Sequence, residues 1–483
     1  MIDEARPKAT GERRVQRVPK VFSRGRADLL NGPIFKSLLL FSLPILLGSI
    51  VTQLYNVADS MIVGRYVSAD ALAAVSASSP VMSIINMFLI GLSSGSTVVI
   101  AQRVGLGDKE ALRKAVGTTG FLTLACSLFI TAAGLLASRP LLTLLGTPAR
   151  IYDASLSYLT VIFLGATGNM VYQMGSGALR GMGDASWPFY FLLLCSGLNV
   201  VLDLFTVLVL DLGVLGVAIA TAVSQLISGV GVVLRLGHGD YGIRLSLSLL
   251  KPDPGEMKRI AGIGLPAAVQ NIGNAVAALA VQSSVNFFGP SFIAANSIVT
   301  KVDDLLYIPI MALSTALCTF VGQNMGAFRM DRIKKGINQS IAFLTALGVL
   351  LTAILIFCRS LLPRLFTDEE DVISYAASGI FIMSFVCLFH GTDRCLVNAM
   401  RGAGKSVVPM ITAQFGAFSR IPLAYFLGVK TGDWHGIFWA LLIASFLRAA
   451  AIAVYYYGGG WKRAVKKFER LHAAEGEKRE SES

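Results

Sequence analysis

The chain has 483 residues, 54% of them apolar and 15% charged, with a formal net charge of +13. Its apolar residues gather into runs of about twenty, long enough to cross a hydrocarbon core about 30 Å thick, so the sequence reads as a polytopic membrane protein. The basic excess does not argue for nucleic acid, because the placement of the cations explains it.

A basic arm, residues 1–33, is too charged for a secretory leader, and the apolar stretch behind it is expected to stay in the mature chain. Twelve spans follow, at roughly 35–63, 71–101, 112–138, 151–178, 187–210, 213–236, 257–287, 292–322, 333–358, 370–399, 406–428 and 434–457. Their long helical periods, and the scarcity of alternating ten-residue segments, predict an all-α polytopic protein and argue against a barrel. The domains expected are an N-lobe (34–236, spans one to six), a polar linker (237–256) carrying "HGDYG" and "KPDPGE", a C-lobe (257–457, spans seven to twelve) and a basic tail (458–483). In the tail, Trp461, Val465, Phe468 and Leu471 share one face, the pattern of an interfacial helix.

With the amino terminus inside, 32 of the 42 Lys and Arg fall in inner segments, six in outer loops and four (Lys301, Arg394, Arg420, Arg448) within spans. The positive-inside rule then puts both termini in the cytoplasm, and loops such as those at Lys114 and Lys335 are expected to meet anionic lipid. Six cysteines lie in spans without a CxxC pair, which indicates neither a disulfide framework nor a zinc site.

The chain is written twice. "LRGMGDASWPF" at 179–189 returns as "MRGAGKSVVPM" at 400–410, matching Arg180 with Arg401 and Gly183 with Gly404 at a shift of 221. "AQRVGLGDKEALRKAV" at 101–116 overlies "GQNMGAFRMDRIKKGI" at 322–337 at the same shift, and Pro44 matches Pro266 at 222. Such Gly-rich loops could be plain turn chemistry, but the constant shift is more than turns require. Six spans per copy is an even number, so the lobes are a parallel repeat about an axis along the membrane normal, with a substrate path between them.

Polar groups inside spans are the candidate site. Asp59 lies in "LYNVADSMIVGR", and Asn199 and Asp203 are four apart in "GLNVVLDLF", on one helix face. Asp203 and Thr221 are each about nine residues from the turn near Asp211, some 13 Å deep at about 1.5 Å per residue, and Asp59 reaches a similar level. Asp59, Asn199, Asp203 and Thr221 are hard oxygen ligands for a small cation, and paired acids also favour a shared proton. Structural hydrogen bonding between helices is the other reading. At the 221 shift the C-lobe has Ala280, Arg420 and Ala424 in place of Asp59, Asn199 and Asp203, so that site belongs to the N-lobe alone.

The C-lobe instead carries Lys301, Asp303, Asp304, His390, Asp393, Arg394 and Arg420, mixed charges expected to pair and to line a watery cavity. Lys301 and Asp304, three apart, could equally be a stability pair, and His390 a packed side chain. Gln53, Asn56, Gln173, Asn271, Asn274 and Gln282 are candidate substrate contacts or packing groups. No catalytic set and no cofactor site is legible.

The motifs "LPILLGSIVTQLYNVADSMIVGR", "ALRGMGD", "GLNVVLDLF", "TKVDDLLYIPI" and "VGQNMGA", over about residues 30–457, resemble the multidrug and toxic compound extrusion (MATE) family, in particular its bacterial MepA-like branch. The resemblance implies two six-helix lobes in a V, in a bacterial cytoplasmic membrane, exporting cationic amphipathic small molecules in exchange for Na⁺ or H⁺ by alternating access. It implies a cation site at Asp59, Asn199, Asp203 and Thr221, and no enzyme activity. Relatives with C-lobe carboxylates on helices 7 and 10 differ here: helix 7 has no acid, His390 stands where the helix-10 acid is expected, and Asp393 is one turn along. A monomer is expected. A lipid-linked precursor flippase of the same superfamily and a major-facilitator carrier are the alternatives; the first needs a one-sidedly basic cavity, the second inner three-helix symmetry.

Overall fold

The computed structural model describes residues 27–238, 247–466 and 468–470. Most of the basic arm, the middle of the linker and Leu471 of the tail stripe lie outside them.

The described residues are helical throughout, without strands. The N-terminal set is α1 (Ile34–Ile62), α2 (Ala69–Leu106), α3 (Lys109–Leu144), α4 (Ala149–Gly181), α5 (Ser186–Leu208) and α6 (Gly213–Gly237). The C-terminal set is α7 (Pro254–Asn286), α8 (Pro290–Gly326), α9 (Met330–Cys358), the single turn α10 (Leu361–Arg364), α11 (Glu370–Ser384), α12 (Cys387–Gly402), α13 (Val407–Ala424) and α14 (His435–Tyr455). Ten of these helices are long and apolar enough to cross a membrane, and α11 and α12 make an eleventh span bent by 48°. The twelfth expected span is α13, extended by a π-helical segment, Tyr425–Val429. Large apolar side chains such as Leu136 and Phe357 stand exposed on the outer faces, as a bilayer allows.

Caps punctuate the spans where the sequence turns polar. The Ser68 hydroxyl accepts from the Ala71 amide at the start of α2, and the Asp108 carboxylate from the Glu110 and Ala111 amides at the start of α3. The repeated "RGxG" is a helix stop. Gly183 and Gly404 take φ of 90° and 79°, and their amides return to the Arg180 and Arg401 carbonyls at 2.9 and 2.8 Å. Position 328 breaks the pattern: Gly107 holds φ of 72° after α2, while its mate Phe328 takes 56° after α8. The Phe328 ring packs on Phe468, 5.7 Å between centroids, which helps offset the strain. The tail therefore differs from the interfacial helix expected of it, since Trp461 and Phe468 bury their rings in the protein's own core. Pro44 does not break α1, which runs through it.

The two sets meet at the end that carries the basic loops. Gln102 of α2 donates from Nε2 to the Gly402 carbonyl at 2.9 Å, and its mate Gln323 of α8 donates to the Gly181 carbonyl at 3.0 Å. Between them α2 and α8 cross backbone to backbone. A Cβ on Gly105 would sit 1.9 Å from the Gln323 carbonyl oxygen, and one on Gly326 2.0 Å from that of Gln102. Beside this crossing a buried ion pair joins Arg103 of α2 to Glu256 of α7. Further along, Gly91 and Gly95 let α2 lie directly on Ala268 and Gly264 of α7.

Candidate cation site and the adjoining cavity

Asp59 lies in the last turn of α1, just before the π-helical Val63–Val67. Asn199 and Asp203 project from one face of α5, and Thr221 from α6, which doubles back through the left-handed Asp211 and Gly213. The structure brings the four together. Asn199 Nδ2 donates to Thr221 Oγ1 at 3.3 Å, and the carboxyl groups of Asp59 and Asp203 face each other within hydrogen-bond reach. Asn199 and Asp203 are wholly buried.

The oxygens of this cluster are short of donors. Among the described residues nothing donates to one Asp59 oxygen, to either Asp203 oxygen or to Asn199 Oδ1. Two facing carboxylates that lack donors repel each other, and a shared proton or a small hard cation is what relieves them. The residues thus fit Na⁺ or H⁺ by donor type and by their orphaned oxygens.

Two phenols complete the surroundings. Tyr55 lies close to Asp59 and Thr221, and Tyr158 of α4 lies close to both acids. Tyr55 was findable, being one turn before Asp59 on the same face. Tyr158 carried no local signal, because α4 reaches the acids only through tertiary packing.

From Tyr55 a cavity of about 490 Å³ runs between α1, α2, α4 and α5 toward the basic end. Asn56 and Gln173, two of the candidate contacts, line it, with Asn86, Asn169 and Arg180. Asn169 Nδ2 donates to Asn86 Oδ1 at 2.9 Å. The other amides lie elsewhere. Asn271 donates across the lobe boundary to the Met87 carbonyl at 3.3 Å, and Asn274 is half-buried with its Oδ1 lacking a donor. Gln53 is exposed, and Gln282 pairs with Asn286 at 2.8 Å along the surface of α7.

The C-lobe charges divide into two groups. Asp393 is buried between Arg448 and Arg394, at 3.1 and 3.4 Å, and the Arg394 guanidinium lies 5.0 Å above the Tyr307 ring. His390 packs edge-on against that ring, and Asp303 is within electrostatic reach of Arg420, Arg448 and Arg394. Lys301 and Asp304 do not join them and form no ion pair with each other among the described residues. Both are exposed, and Lys301 Nζ stands 5.7 Å over the Phe366 ring. Successive helical residues point about 100° apart, and here Asp303 turns toward the arginines while Asp304 is exposed. At the 221 shift Tyr307, His390, Asp393 and Arg394 are the mates of Asn86, Asn169, Tyr172 and Gln173. Charged groups thus stand in the C-lobe where the N-lobe has its cavity.

One family model, MatE, matches this chain twice, over residues 44–205 and 266–426. The chain belongs to the MatE family. It is a membrane transporter, and its two matched segments begin 222 residues apart and end 221 apart, the shifts of the internal repeat. This MatE chain is 28% identical to the probable multidrug resistance protein YoeA of Bacillus subtilis, over 91% of its own length and 96% of that protein's. It is 23% identical to the multidrug export protein MepA of Staphylococcus aureus, over 88% and 94%. Among solved structures it is similar to a MATE protein in the bent conformation, with a TM-score of 0.85, 23% identity, and coverage of 93% of this chain and 100% of that one.

Proposed function

We propose that this MatE protein is a secondary antiporter that exports amphipathic organic cations in exchange for Na⁺ or H⁺. Asp59, Asn199, Asp203 and Thr221 hold the coupling ion. It works as a monomer in a bacterial cytoplasmic membrane with both termini in the cytoplasm. The observation that carries the reading is the facing pair of carboxyl groups, with three of its four oxygens lacking donors. The names of two relatives, a probable multidrug resistance protein (YoeA) and a multidrug export protein (MepA), support the cargo class.

The ion and the cargo act on the same helices. Asp59 ends α1, and the earlier turns of α1 wall the cavity, so an ion that draws Asp59 and Asp203 together repositions that wall. Occupation of the pair by the ion and of the cavity by cargo then favour different placements of α1, which is the differential binding that coupling requires. One ion entering for one monocation leaving moves no net charge, so the ion's concentration gradient drives that exchange. Export of a neutral or zwitterionic molecule also draws on the potential, about 2.3 kcal/mol per 100 mV, close to fifty-fold accumulation.

Dye transport in inverted vesicles, under an imposed Na⁺ gradient and separately under a pH gradient, tests the proposal and names the ion. Asp59→Asn and Asp203→Asn should each abolish ion-driven transport while the purified protein stays monodisperse and helical. Undiminished transport by either variant overturns the assignment.

A further inference from the structure

We propose that the N-lobe cavity recognises an anionic group through Arg180, so that among amphipathic organic cations the favoured cargo also carries an anionic group, as a zwitterion does. This rests on the antiport reading only for the direction in which the cargo moves.

Arg180 closes α4 and lines the cavity, half-buried. Among the described residues no carboxylate pairs with it, and none of the residues lining the cavity is acidic. The Tyr172 hydroxyl, on the same cavity wall, donates to the Pro188 carbonyl at 3.1 Å. Asp184, the acid nearest in sequence, turns to its own backbone and accepts from the Ser186 amide at 3.1 Å and from the Trp187 amide at 3.3 Å. A guanidinium that faces a cavity with no acid in its wall leaves its donors open to a ligand, and carboxylate or phosphate suits its planar fork.

The internal repeat supplies the control. Arg401, the mate of Arg180, donates from Nη2 to Gln270 Oε1 at 2.7 Å. In the first helix of each lobe the shift is 222, so the mate of Gln270 is Gly48, which has no side chain and itself lines the cavity. The C-lobe thus caps its arginine internally, and the N-lobe leaves the same arginine facing open volume.

The dimensions agree with a single elongated ligand. About 490 Å³ lies within the range of small-molecule sites. From Asn169 to Arg180 the wall rises by roughly 16 Å at 1.5 Å per residue, and Tyr55, which lines the cavity, lies one turn before Asp59 on α1. A ligand whose anion rests on Arg180 extends its body along the amide-lined wall toward the acids.

The test is equilibrium binding of rhodamine B, a zwitterion, and of its ethyl ester, a plain cation, to the full chain in phosphatidylcholine nanodiscs, read by fluorescence polarisation. Hydrogen bonds to a charged group are worth about 1.5–3 kcal/mol, so the wild type should prefer the zwitterion about tenfold or more. Arg180→Gln should bring the ratio of affinities near one. So should Gly48→Gln, which installs the C-lobe cap while keeping Arg180. A Cβ at Gly48 first meets the mobile end of Leu192 at 3.3 Å, so this variant carries the test even where Arg180→Gln fails to fold. No preference in the wild type, or an unchanged ratio in both variants, overturns the proposal. In nanodiscs containing phosphatidylglycerol a retained preference supports it, and a preference lost there assigns Arg180 to a lipid headgroup and overturns it. Binding at equilibrium needs no ion gradient, so its outcome is independent of the vesicle experiment on antiport.

Discussion

The bond from Asn199 to Thr221 fixes two ligands of the proposed cation site to each other before any ion arrives. Asn199→Ala and Thr221→Val should each weaken ion binding by about tenfold, since a net hydrogen bond contributes about 1 kcal/mol and the remaining partner is left buried. The double variant should lose less than the product of the two, because both remove the same bond; titration of intrinsic tryptophan fluorescence with Na⁺ or protons measures this. Asp59, Asn199 and Asp203 were legible in the sequence because polar groups are conspicuous in an apolar run. Tyr158 and Arg180 were not. A tyrosine in a span reads as packing, and an arginine at the basic end of a helix reads as topology, so neither declares the pocket it faces.

At the scale of helices, the glycines of α2 and α8 matter for how closely two main chains approach. Gly105→Ala should prevent the crossing from closing, since its Cβ would fall 1.9 Å from a carbonyl oxygen that cannot move without its helix. Double electron–electron resonance between labels on the two lobes at the basic end should show a longer distance and a depleted closed population; an unchanged distance distribution would refute it. The sequence placed the eleven spans that the described residues show near their observed positions, because each is a long apolar run with a polar stop, and set the twelfth at α13. It did not show the 48° bend between α11 and α12, where no proline or glycine interrupts "MSFVCLF". Nor did it show that the tail stripe turns inward, because an apolar face looks the same whether lipid or Phe328 covers it.

The whole molecule is a duplication whose halves have diverged in their interiors and kept their joint. The N-lobe holds the acids and the cavity, and where the N-lobe has Tyr172 and Gln173 on the cavity wall the C-lobe has Asp393 and Arg394, with Arg448 paired to Asp393. The joint is reciprocal, Gln102 reaching the end of α12 and Gln323 the end of α4. Replacing both glutamines by alanine should cost the closed arrangement about 2 kcal/mol, near thirty-fold in population, with either single variant giving roughly half the free energy. Cross-linking yield between cysteines placed across the joint reports it, and an unaltered yield in the double variant would count against this role. The crossing at Gly105 and Gly326 has a wider consequence. The contact itself is main chain against main chain and holds no group that ionises, while the ion pair beside it, Arg103 with Glu256, ties α2 to α7 rather than to α8. On the antiport we propose, the timing of the cycle is then dictated from a distance, by whatever settles among the acids and in the hollow beside them.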